Sequence, residues 1–253
     1  MSGKKSTVVA IISMIIMLIL YAVTAMGYMG DNPVGQGSNY EEPLIVPAGY
    51  AFAIWSIIYT GLIVFPFYQW YKQHDDPSWT RIKILYSINV ILNGLWLVVS
   101  SYDFQIISVF VIILMLVTLY LINKELVSLE SESAPINYWL ERLVFSLYYA
   151  WITLATVLNV SSALSFYNWD GFGISEVTWT SIMIPVAALV ASVVFFKYRD
   201  KAFAAVVIWA FVALAVKHLD QYPIIGYLSI GVVIIFSIFI LTHLGKRGAR
   251  LSI

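Results

Sequence analysis

The sequence has no cysteine, which removes disulfides, thiolate metal centres, cysteine nucleophiles and iron–sulfur clusters together. Charge is scarce as well. Only 11% of the 253 residues are Asp, Glu, Lys or Arg, against about 25% in a typical soluble domain. The formal net charge is zero, so the basic surface that nucleic-acid binding needs is missing. The apolar fraction is 61% and the mean hydropathy +0.86. A soluble fold of this size could not bury so much apolar surface, and a disordered chain would not carry it. An integral membrane protein is the class that is left, with the lipid bilayer as its first partner.

Long apolar runs are what the sequence does contain. A spanning helix needs about 20 mostly apolar residues, and eight stretches qualify: Val8–Met29, Gly49–Tyr71, Ile82–Ser101, Phe104–Ile122, Trp139–Ser165, Val177–Phe196, Ala202–Lys217 and Pro223–Leu244. They lack strand-like alternation, which favours helices over a barrel. If the N-terminus is cytoplasmic, thirteen of the fourteen Lys and Arg residues fall on the inner side and only Lys217 falls outside. Cytoplasmic loops attract this excess. The expected class is therefore an all-α polytopic membrane protein of eight helices with both termini cytoplasmic, placed in a bacterial plasma membrane. The first run is longer than the core of a signal peptide, so it is expected to stay as a helix.

Catalytic material is thin. Every Asp and Glu lies in a loop or near a span end, and His74, His218 and His243 are terminal too. Without an acid–base pair in the membrane, the expectation is a protein that is not an enzyme and holds no metal. Lys217, at an outer helix end, is expected to reach toward water rather than to carry a Schiff base.

The spans instead hold neutral polar and aromatic residues in helical phase. Tyr86, Asn89, Asn93, Trp96 and Ser100 form one stripe, and Tyr148, Trp151, Ala155, Asn159 and Ser162 form another. Phe52, Trp55 and Tyr59 line one side of the second span. An Asn in hydrocarbon must find partners, so these stripes face protein or a cavity. Trp70, Trp79, Trp139, Trp169 and Trp179 lie near span ends and suit an interfacial belt. Trp55, Trp96, Trp151 and Trp209 lie inside spans, where a belt does not account for them. A pocket lined by such groups suits a planar apolar ligand with a few polar atoms.

At these residues the sequence resembles the TspO/MBR family of tryptophan-rich sensory and translocator proteins. Tyr148-Tyr149-Ala150-Trp151 followed by Ala155 and Asn159 is similar to that family's fifth-helix signature. Asn93-Gly94-Leu95-Trp96 resembles its third-helix motif, with Asn89 where a Gln is usual, and Pro47 through Trp55 and Tyr59 resemble its entry to the second helix. Gly49, Val46 and Leu147 stand where the family has Trp, Pro and Pro. The resemblance implies a five-helix bundle over residues 1–166, with residues 167–253 adding three helices. It implies a pocket, capped by the loop after the first helix, that binds tetrapyrroles or sterol-like lipids. It also implies a homodimer.

The expected ligand-binding residues are Phe52, Trp55, Tyr59, Asn89, Asn93, Trp96, Tyr148, Trp151, Ala155 and Asn159, of which the resemblance implies all but Phe52 and Asn89. The expected function is that of a membrane sensor or receptor with no built-in cofactor, taking a porphyrin- or haem-like molecule as ligand. The alternative is a secondary transporter of a small organic solute, with Pro66 and Pro185 as helix breaks at membrane depth. A pocket filled by its own side chains would instead indicate a structural role.

Overall fold

A computed structural model of the protein describes residues 3–30, 42–74, 76–131 and 136–243. It has eight long helices: α1 (Gly3–Ala25), α2 (Ile54–Lys72), α3 (Pro77–Ser101), α4 (Gln105–Ser131), α5 (Leu143–Phe166), α6 (Glu176–Tyr198), α7 (Lys201–His218) and α8 (Pro223–Thr242). All eight are long and apolar enough to cross a membrane, and no strand occurs among the described residues. The protein is an all-α multi-pass membrane protein. The loop that follows Gly30 lies mostly outside the described residues, which resume at Glu42.

Several helices begin or end well outside the apolar runs. α1 starts at Gly3 and α3 at Pro77, while α4 continues to Ser131. Hydropathy detects the part of a helix that lies in hydrocarbon, whereas capping decides where the helix starts. Asp76 caps α3 by accepting from Ser78 N at 2.7 Å, with Pro77 at the first helical position. Ser175 caps α6 through Thr178 N at 3.2 Å. Asp200 caps α7, accepting from Ala202 N at 3.0 Å and Phe203 N at 3.2 Å.

Packing follows the order α1–α3–α4–α5–α7–α8, with α2 against α1 and α5, and α6 against α8, α5 and α7. Close approach is made possible by glycine. A Cβ on Gly94 would stand 2.8 Å from Leu20 Cδ1 and 3.4 Å from the Met17 backbone, so α1 and α3 touch at that point. The shortest helix, α7, contacts both α5 and α8 and contributes Phe203, Val207, Phe211 and Leu214 to the core. The three C-terminal helices therefore pack onto the first five chiefly through α7, with α6 also meeting α5.

One expected belt residue is elsewhere. Trp70 and Trp139 are exposed, as a belt requires, but Trp79 is 2% exposed and stacks on His74 at 4.6 Å. Its position within the first turn of α3 turns the indole inward, which proximity to a span end alone does not reveal.

An aromatic cleft at the loop end

The residues of the expected pocket divide into two groups. Five of them meet between α2, α3 and α5. Trp55 stacks on Tyr59 at 5.2 Å and meets Tyr148 and Trp151 edge-on at 5.8 and 6.4 Å. Tyr59 OH donates to Asn93 Oδ1 at 3.1 Å, and Asn93 Nδ2 donates to the Tyr148 hydroxyl at 2.8 Å. Phe52 joins this group from the turn that precedes α2, edge-on to Trp151 at 5.6 Å. The rings pack around the hydrogen-bond chain, with Asn93 and Tyr148 buried, Trp55 and Tyr59 half-buried and Phe52 exposed.

The other amides face α4. Asn89 Nδ2 donates to the Met115 carbonyl at 3.1 Å and to Thr118 Oγ1 at 2.7 Å. Asn159 Oδ1 accepts from Ser108 Oγ at 3.2 Å. Both act as interhelical ties of the kind worth about 0.6–2 kcal/mol in membrane proteins. Trp96 packs partly buried against the core, and its Nε1 has no partner.

The cleft itself lies beyond Trp151. A partly open cavity of about 30 Å³ is lined by Pro47 of the loop, Trp151 and Ala155 of α5, Ala187 of α6, and Phe211 and Leu214 of α7. Trp151 is 2% exposed, and its Nε1–H has no acceptor. Of the ten expected residues, Trp151 and Ala155 are the two that line this space. The helices that follow residue 166 form much of its wall, a contribution that a stripe within α5 could not reveal.

The loop over the cleft is fastened to the same helices. Ala48 N donates to the Ala213 carbonyl at 3.3 Å, and Leu44 N to Glu176 Oε1 at 2.8 Å. Lys217 Nζ donates to the Val46 carbonyl at 3.0 Å and lies 3.7 Å from Glu42 Oε2. Lys217 therefore holds the loop instead of reaching for water alone. Trp209, for which the sequence offers no role, donates from Nε1 to the Ala51 carbonyl at 2.9 Å.

The opposite end of the bundle carries a network that sequence reasoning missed. Arg142 is 4% exposed, and it donates to Asn123 Oδ1 at 2.7 Å and to Asp200 Oδ2 at 3.3 Å. Its Nε lies 3.3 Å from Glu130 Oε1. Glu141 is 1% exposed, accepting from Gln69 Nε2 at 2.7 Å and lying 3.0 Å from His74 Nε2. A signal for it existed. Asn137 Oδ1 caps Trp139 N and Leu140 N, while Glu141 Oε2 reaches back to Asn137 N at 2.7 Å. This is a reciprocal capping box, spaced by four residues instead of three because Tyr138–Arg142 is a π-turn. Among the described residues no group of three or more His, Asp or Glu is placed to hold a metal ion.

Comparison with curated proteins and with solved structures returns no match. A family model described as TSPO-like protein matches residues 7–242, from the first turns of α1 to the last turn of α8. That span includes the aromatic cluster, the cleft beyond it and the three C-terminal helices, and on that match the chain belongs to the TSPO-like family.

Proposed function

We propose that the protein is a membrane receptor for a planar hydrophobic ligand, a tetrapyrrole or sterol-like molecule, held in the cleft between α5, α6, α7 and the loop at residues 42–48. The observation that carries this reading is Trp151. One side of its ring meets Phe52 and Trp55, the residue lines the cleft, and its buried N–H lacks an acceptor. A buried donor left unpaired costs about 1–3 kcal/mol. A ligand carbonyl or carboxylate at the cleft supplies the missing acceptor, and the apolar walls accept the rest of the ligand.

The cleft has room for about one or two waters, whereas ligand pockets usually span about 300–1,000 Å³. Binding therefore requires the loop or α6 to move away from α5. The loop's polar attachments at Lys217 and Glu176 are exposed or half-exposed, and such contacts are individually weak. Transport has less support. α2 and α6 run unbroken across Pro66 and Pro185, so the discontinuous helices that often carry a transporter's substrate site are not formed.

The test is protoporphyrin IX titrated into the solubilised protein, read by tryptophan fluorescence, with cholesterol as competitor. Saturable quenching is expected, and Ala155→Trp, which fills the cleft, is expected to abolish it. Undiminished quenching in a folded Ala155→Trp variant overturns the assignment of the ligand to this cleft.

A further inference from the structure

A second cavity, of about 110 Å³, lies at the end of the bundle where α1 begins. Gly3, Lys4 and Thr7 of α1 form one wall, and Gln69, Trp70 and Gln73 at the end of α2 form the other. Trp70 is 51% exposed and stands where interfacial tryptophans mark the headgroup layer. The cavity holds several waters or a group the size of a phosphate.

Its surroundings select an anion. α1 opens Gly3-Lys4-Lys5 with no acidic residue in its first turn. Two ammonium groups thus sit at the positive end of a 23-residue helix dipole, the reverse of the favourable arrangement. Lys83, fully buried, donates to the carbonyls of Gly3 at 3.1 Å and His74 at 3.2 Å and so fixes the start of α1 beside the end of α2. Lys72 adds a cation in the last turn of α2.

Gln69 asks for something more than charge. It is fully buried, and its Nε2 is committed to Glu141 Oε1 at 2.7 Å. Gln69 is part of the cavity wall and Glu141 is not, and Gln69 Oε1 is covered and has no partner. An anion cannot satisfy that oxygen. The occupant must carry a negative group for Lys4 and the first turn of α1, together with a hydrogen-bond donor for Gln69.

We propose that this cavity is a headgroup site for an anionic phospholipid bearing a hydroxyl, of the phosphatidylglycerol type. The phosphodiester lies against Lys4 and the start of α1, and a glycerol hydroxyl donates to Gln69 Oε1. The site is independent of the cleft at the loop end, and neither assignment rests on the other.

The experiment reconstitutes the full chain into nanodiscs of equal parts phosphatidylglycerol, phosphatidylethanolamine and phosphatidylcholine, and counts retained lipids by native mass spectrometry after extraction. Preferential retention of phosphatidylglycerol is expected. Lys4 is exposed, so Lys4→Glu should leave the fold intact while lowering that retention roughly twenty- to thirtyfold, as reversal of one interfacial charge implies. Lys124→Glu, an exposed reversal elsewhere at the same end, should leave it unchanged.

Phosphatidylmethanol, an anionic phosphodiester without a hydroxyl, should be retained less than phosphatidylglycerol by the unaltered protein. In Gln69→Leu the two should be retained equally. Equal retention of phosphatidylglycerol and phosphatidylcholine, or equal losses in Lys4→Glu and Lys124→Glu, overturns the proposal. Equal retention of phosphatidylmethanol and phosphatidylglycerol by the unaltered protein overturns the role of Gln69. Displacement by millimolar glycerol phosphate overturns the lipid assignment in favour of a free phosphate ester.

Discussion

At the loop end, Tyr59, Asn93 and Tyr148 form a chain of neutral hydrogen bonds walled by Phe52, Trp55 and Trp151. At the basic end, Arg142 is held by Asn123, Asp200 and Glu130, and Glu141 by Gln69 and His74. Both regions bury polar groups in a protein surrounded by hydrocarbon, yet they differ in what is left unsatisfied. The ionic network ties α4, α5, α7 and the end of α2 with charged hydrogen bonds, which are costly to break singly. The aromatic region keeps two indole N–H groups, on Trp96 and Trp151, without acceptors. The aromatic end leaves these two donors over, whereas the basic end leaves an acceptor, Gln69 Oε1, so the two ends would take added groups of opposite hydrogen-bonding character.

The sharpest way to break this comparison is Arg142→Met. It takes the cationic partner from the mostly buried Asp200, which keeps only Ser146 and its two capped amides, and is expected to cost about 3 kcal/mol of unfolding free energy, read by denaturant titration in detergent. Next in size is Tyr148→Phe, which removes the acceptor of Asn93 Nδ2. Its expected cost is about 1–3 kcal/mol by the same titration. A loss equal to that of Arg142→Met would show that the aromatic end is as tightly held as the ionic one.

Smaller again is Trp151→Phe. The deleted N–H has no partner, so stability should fall by less than about 1.5 kcal/mol while porphyrin quenching at the cleft weakens. The smallest change is expected for Lys217→Met, about 0.2–1 kcal/mol for a partly exposed ion contact. It should raise the labelling rate of a Val46→Cys probe in a chain that has no cysteine of its own. An unchanged rate would show that Lys217 does not restrain the loop.

The eight spans were legible because each places about 20 apolar residues in a row, and the basic residues that punctuate them set the helix count. The stripes on α3 and α5 were legible as stripes, but their destinations were not. Asn89 and Asn93 are four residues apart, about 40° of helix rotation, yet Asn89 bonds to α4 and Asn93 to α2 and α5. Which neighbour an amide meets depends on how helices cross, and α3 runs between α1 and α4. The cleft was half legible. Trp151 and Ala155 belong to the motif, while Ala187, Phe211 and Leu214 come from helices that the motif does not include. The ionic network was missed because hydropathy scores Glu141 and Arg142 as loop residues whether or not the fold covers them, and the capping pattern from Asn137 to Glu141 is spaced by four residues instead of three.

Asp200 does two jobs, capping α7 with one oxygen and meeting the Arg142 guanidinium with the other. The second carboxylate of the guanidinium thus comes from a turn 58 residues further along the chain. A product cut after the fifth helix would keep Asn123 and Glu130 for Arg142 but lack Asp200, leaving a mostly buried arginine one charged partner short.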